Sequence, residues 1–114
     1  MRVDEIATLL QGKIVCGAPQ SELALSYGFA ADLLSDVLTL DHDGILLVTG
    51  LCTPQTIRTA EMAEIDCVVI ARGKQAGREM LELAQSAGVV LIESNRSVFQ
   101  VSGLLFNAGL RPVY

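Results

Sequence analysis

The sequence predicts an α/β domain of three layers, a mostly parallel sheet flanked by helices, and two observations carry that expectation. Between Ile45 and Tyr114 one unit recurs three times: a short apolar run, a small or polar turn, then a stretch of helical spacing. The runs at residues 45–48, 67–71 and 89–92 are unbroken, which suits strands covered on both faces and joined by helices in a parallel sheet. The turns at residues 49–54, 72–74 and 93–97 then emerge at the carboxyl ends of the strands, where ligand crevices form in such sheets.

The elements follow in order. Val3, Ile6, Ala7, Leu9 and Leu10 fall at helical spacing, with Asp4 and Glu5 in the first turn and Gly12 as the stop. Residues 13–16 read as a short strand and 17–20 as a turn. Leu23, Leu25, Tyr27 and Phe29 share one face of a strand over residues 22–31. Asp32 is then expected to cap a helix over 33–39, with Ser35 and Asp36 in its first turns. Thr53 and Pro54 have the residue types of an N-cap and first helical position, opening a helix that ends before Asp66. A further helix covers 75–87 with Gly88 as its stop. The last runs over 97–108 with Gly103 inside it and Gly109 closing it, and Pro112 keeps the tail from extending it. Nothing marks a linker or a second domain, so residues 1–114 are expected to form one unit.

Composition narrows the function classes. With 51% apolar and 4% aromatic residues, the core is built from Leu, Val, Ile and Ala. A formal charge of −5 gives no basic face for nucleic acid or for anionic membrane surfaces. The first residues lack the basic-then-apolar layout of a leader, and the longest uncharged apolar-rich stretch, 97–110, is too short to span a bilayer. A cytoplasmic protein is expected. Cys16, Cys52 and Cys67 are odd in number and lack metal-ligand spacing, and His42 is the sole histidine. Reduced thiols, rather than a disulfide scaffold or zinc site, fit that pattern.

No stretch fits a P-loop or a dinucleotide fingerprint, and Gly73-Lys74 is not followed by Ser or Thr. A self-contained kinase or nucleotide hydrolase therefore lacks support. The best local candidate is the turn from Thr49 and Gly50 to Thr53 and Pro54, a strand end feeding a helix start that offers N–H groups to an anion. Arg58 lies one turn further on and could point back at it; a plain tight turn with a capping Thr53 and a solvated Arg58 explains the same residues. Arg72 and Lys74, with Arg58 and Arg96, would give this edge a positive mouth, and Ser94 lies in the third turn. Asp32, Ser35 and Asp36 form an acidic cluster that could serve a divalent metal or acid–base work, but a helix cap with carboxylates complementing the dipole explains them without function and is the favoured reading. Cys52 sits beside a helix start, where a thiol can become more acidic, although no base or second cysteine accompanies it. Cys67 reads as core and His42 as an exposed loop residue.

The blocks at residues 29–38, 47–50 and 53–62, then Ala71-Arg72-Gly73-Lys74, residues 90–94 and 99–105, together resemble the DRTGG domain family over nearly the whole chain. The resemblance implies an α/β domain similar to the amino-terminal domain of HPr kinase/phosphorylase, without that enzyme's catalytic P-loop domain. Related domains accompany CBS pairs in regulated pyrophosphatases and occur in phosphotransacetylases, which implies regulation or interaction.

The expected function is a stand-alone regulatory or sensory module that binds a small anion or nucleotide and acts through a partner enzyme. Two alternatives stay open: an interaction module with an empty crevice, and a small enzyme using Asp32, Asp36 or Cys52. No cofactor or metal is called for. A homodimer is expected, because Phe99 and Phe106 share a helical stripe that so small a domain leaves uncovered.

Overall fold

The computed structural model describes residues 1–114, and it is a three-layer α/β domain. Six strands form one sheet: β1 (Lys13–Cys16), β2 (Tyr27–Ala30), β3 (Ile45–Thr49), β4 (Cys67–Ile70), β5 (Val90–Glu93) and β6 (Arg111–Pro112). Their order is β1-β5-β4-β3-β2-β6, parallel throughout except for β1, which runs antiparallel to β5. The central strands are buried along almost their whole length, as their unbroken apolar runs require.

Alternation along those strands divides the core in two. Leu46, Val48, Val69 and Ile92 pack on one face, under α1 (Val3–Leu9) and α5 (Val98–Asn107). Leu47, Val68, Ile70 and Leu91 pack on the other, under α2 (Leu34–Val37), α3 (Pro54–Met62) and α4 (Arg78–Ala87). The chain therefore leaves β4 for one face and β5 for the other. That divergence is what opens a crevice at the sheet's carboxyl edge.

Several expected boundaries move, each for a local reason. Leu23 and Leu25 pack with the α1/α5 layer whereas Tyr27 and Phe29 pack with the opposite one, so they do not share a face. The break lies where the Ser26 and Tyr27 N–H groups both donate to the Gly44 carbonyl, which turns the chain. Asp32 caps no helix: α2 is only four residues long and its N-cap is Leu33. α1 stops on Gln11, whose φ is +50°; the adjoining Gly12 is required by close packing, since a methyl there would lie 2.8 Å from the Glu93 carbonyl oxygen and 2.9 Å from Ile92 Cγ2. α4 begins at Arg78 rather than 75, because Glu93 Oε2 takes the Ala76 N–H at 2.7 Å and holds the approach extended. Ser97 is the N-cap of α5, its Oγ accepting from Gln100 N–H at 3.1 Å. The tail adds an unforeseen strand, β6, beside β2.

Candidate functional site

The loops after β2, β3, β4 and β5 gather at one edge, joined by the start of β1, which enters from the same side because it is antiparallel. Beyond the sheet, the Arg72 N–H donates to the Arg96 carbonyl at 2.8 Å and the Gly73 N–H to the Ser94 carbonyl at 3.0 Å. These bonds hold Arg72 at φ +70°, a left-handed conformation that a non-glycine residue keeps only when its surroundings fix it.

Between these loops lies a polar pocket of about 190 Å³ at the point where β4 and β5 send their connections to opposite faces. Gly73, Lys74 and Gln75 line it from the β4 loop, Glu93, Ser94 and Asn95 from the β5 loop, and Gln11 and Lys13 from the edge of β1. No apolar side chain contributes. Such a lining offers hydrogen bonds, two ammonium groups and the Glu93 carboxylate, one of whose oxygens is taken by the Ala76 N–H, the means of holding a small polar ligand rather than a lipid or an apolar ring. Beside it, Arg96 Nη2 donates to Gln11 Oε1 at 2.9 Å, while Arg96 Nε is buried without a hydrogen bond.

The structure distributes the residues singled out in the sequence. Lys74 and Ser94 line the pocket. The Lys74 ammonium also donates to the Gly50 carbonyl at 2.7 Å, binding the β3 and β4 loops together. Ser94 is buried; its hydroxyl donates to the Leu10 carbonyl at 3.3 Å and accepts from the Arg96 N–H at 3.2 Å. The Gly50 turn is closed from within: Asp32 Oδ1 accepts from the Gly50 N–H at 2.7 Å and the Thr49 hydroxyl at 3.1 Å. Arg72 lies over that turn, near enough that a methyl on Gly50 would come within 3.4 Å of its Nη1 and of Asp32 Oδ2. Thr53 occupies the N-cap of α3 but its hydroxyl makes no capping bond, standing 3.4 Å from the Thr56 hydroxyl. Arg58 turns along the flank to Glu79 at 3.9 Å and does not line the pocket.

The acidic residues do not assemble either. Asp32 faces the Gly50 turn, Ser35 and Asp36 are exposed on α2, and no group of three or more His, Cys, Asp or Glu side chains is placed to hold a metal. The Cys52 thiol is pushed up from its ordinary value by burial, with the Glu93 charge adding to that and Lys74 opposing it. Its Sγ lies 3.8 Å from Met80 Sδ, an apolar setting that does not activate a nucleophile. Cys67 is fully buried, and His42 is an exposed loop residue with its ring 4.8 Å from that of Tyr27.

Sequence reasoning missed Gln11, Lys13, Gly73, Gln75, Glu93 and Asn95 as pocket-lining residues. Glu93 and Asn95 stood in a turn already assigned to the carboxyl edge and were legible from it. Gln11 and Lys13 were not, because nothing local says that β1 pairs with β5.

The family model described as the DRTGG domain matches residues 5–108, and the chain belongs to that family. No curated protein matches it by sequence. Among solved structures it is similar to the CBS and DRTGG domains of the regulatory region of Clostridium perfringens pyrophosphatase, complexed there with the activator diadenosine tetraphosphate. The TM-score is 0.77 at 15% identity, over 98% of this chain and 48% of that one, so this chain spans about half its length. At that identity the likeness is one of fold.

Proposed function

We propose that this DRTGG domain is a regulatory module that binds a small anionic ligand, a nucleotide or another phosphate ester, in the pocket between the β4 and β5 loops. In this reading it works as a homodimer and passes the state of the pocket to a partner enzyme. The observation that carries the reading is the position of an entirely polar pocket, with Lys13 and Lys74 on its wall, at the point where the connections of β4 and β5 diverge. Ligands of open α/β sheets settle at such points, and two ammonium groups favour phosphate or carboxylate. The regulatory region of similar fold was solved with a dinucleotide activator, which makes adenine nucleotides the first class to try.

Titration calorimetry with AMP, ATP, diadenosine tetraphosphate and pyrophosphate tests the proposal. At least one should bind, and Lys13→Ala or Lys74→Ala should weaken it by about 1.5–3 kcal/mol, the loss of one charged hydrogen bond. Arg58→Ala, on the flank, should change affinity little. Equal affinity in wild type and both lysine variants, or no binding of any of the four, defeats the assignment.

A further inference from the structure

Resting on the pairing of two copies proposed above, we infer that α5 is the face through which they meet, antiparallel about a two-fold axis, with Phe99 of each protomer seated in an apolar groove beside Phe106 of its partner. Val101 and Leu105 bury the inner face of this helix. The opposite stripe carries Phe99, 88% exposed, then Gly103, then Phe106, 67% exposed. Spacings of four and three keep these positions on one side of the helix.

Gly103 stands between the two rings along the helix and leaves its backbone bare to open space, since a methyl built there would meet no atom within 4 Å. A second helix can therefore approach the backbone closely at the middle of the stripe. Between α5 and the β2/β6 edge lies a groove of about 160 Å³, lined among others by Ala30, Ser102, Leu105, Phe106, Leu110 and Pro112. A cavity of about 150 Å³ is enough to take a benzene ring. Phe99 does not line this groove: it stands seven residues before Phe106, about 10 Å along the helix. An axis beside Gly103 reverses that offset and brings Phe99 of one helix opposite Phe106 of the other. Knob and hole thus lie on one helix, at a separation that a two-fold operation satisfies.

Charge also favours a second copy over a foreign protein. The chain carries a net charge of −5, so two copies repel except where the surface is neutral. α5 is the only α-helix without an ionisable side chain, and its stripe offers nothing for a charged partner to read. Four phenylalanine rings burying about 150 Å² each supply roughly half of the ~1,200 Å² that a stable interface needs. The groove walls and the helix backbone at Gly103 are available to supply the remainder.

The test uses the whole chain. Light scattering after size exclusion at tens of micromolar should give twice the 12.1 kDa of one chain. Phe99→Ala removes a ring that the monomer leaves outside its core, and should raise the dimer dissociation constant at least about a hundredfold while leaving the circular dichroism unchanged. Gly103→Cys should form a disulfide dimer on mild oxidation, because the axis sets the two positions against each other. Wild type, with its own Cys16, Cys52 and Cys67, and Ser86→Cys on the opposite layer serve as controls and should not form that dimer. A single-chain mass for wild type overturns the proposal, whether or not a foreign protein then binds α5. A dimer that survives Phe99→Ala undiminished, or a Gly103→Cys chain that fails to cross-link, overturns it too.

Discussion

Asp32 shows how one side chain can decide what a turn is free to do. Its carboxylate takes the Gly50 N–H and the Thr49 hydroxyl, donors that the sequence suggests an outside anion would use. Thr49 and Gly50 are both buried, so removing the acceptor leaves donors that water does not readily reach. Asp32→Ala should therefore cost about 1–3 kcal/mol, and Asp32→Asn, which keeps an acceptor, clearly less. Urea unfolding of the two variants beside wild type measures the difference, and equal losses would refute the account. The thiols give a pH dependence of known sign. Burial raises Cys16, Cys52 and Cys67 above the ordinary thiol value, so the fold favours their neutral forms. That contribution is fully present below the unfolded thiol pKa of about 8.5 and is lost as pH rises through the folded values. The melting temperature should fall above about pH 9. The fall should be shallower in Cys67→Ala, since Cys67 is the thiol most completely buried.

At the scale of elements, Gly12 and Ser97 make separable predictions. Gly12 lets the end of α1 pass against β5, and a methyl there would press on the Glu93 carbonyl, which is backbone and yields little. Gly12→Ala should cost about 1–3 kcal/mol by overpacking. Because Glu93 lines the polar pocket, the same change should weaken ligand binding, which calorimetry would reveal. Ser97→Ala removes a cap from α5 and should cost about 1 kcal/mol in thermal or urea unfolding. These cases also show what could be read in advance. β3, β4 and β5 were legible because they are buried on both faces and therefore apolar without interruption. α3, α4 and α5 were legible because their buried positions recur at helical spacing. The region before Ile45 was less so. There Asp32 serves a distant turn instead of its own helix, and Leu23 and Leu25 part from Tyr27 and Phe29 at a bend fixed by Gly44. The carboxyl edge was legible as the place where the loops gather, and Lys74 and Ser94 as residues of those loops, both of which line the polar pocket. The position of that pocket was not legible, because it depends on β1 joining β5 and on α4 and α5 covering opposite faces.

Across the whole molecule, the link from β5 to α5 joins the proposed pocket to the proposed pairing face: Ser94 lines one and Phe99, five residues on, begins the other. No helix is long and apolar enough to cross a membrane. The two margins of the sheet also bear on whether this acidic, aliphatic chain stays in solution. A parallel sheet with bare edges is a template for adding further strands, the usual start of aggregation. On the β1 margin the pairing register slips between Ile14 and Cys16, an irregularity that spoils a flat template. On the other margin the Arg111 and Val113 N–H groups turn inward, to the Ser26 and Gly28 carbonyls. The residue between them, whose N–H would face outward, is Pro112, so that margin offers no donor there to an incoming strand. Pro112→Val restores the donor with a strand-favouring side chain, and should make the protein turbid and thioflavin-positive on prolonged warming below its melting temperature. A variant that stays as clear as wild type would show that the proline is incidental. Otherwise the last few residues of the chain act as a guard against fibres, set by one missing hydrogen.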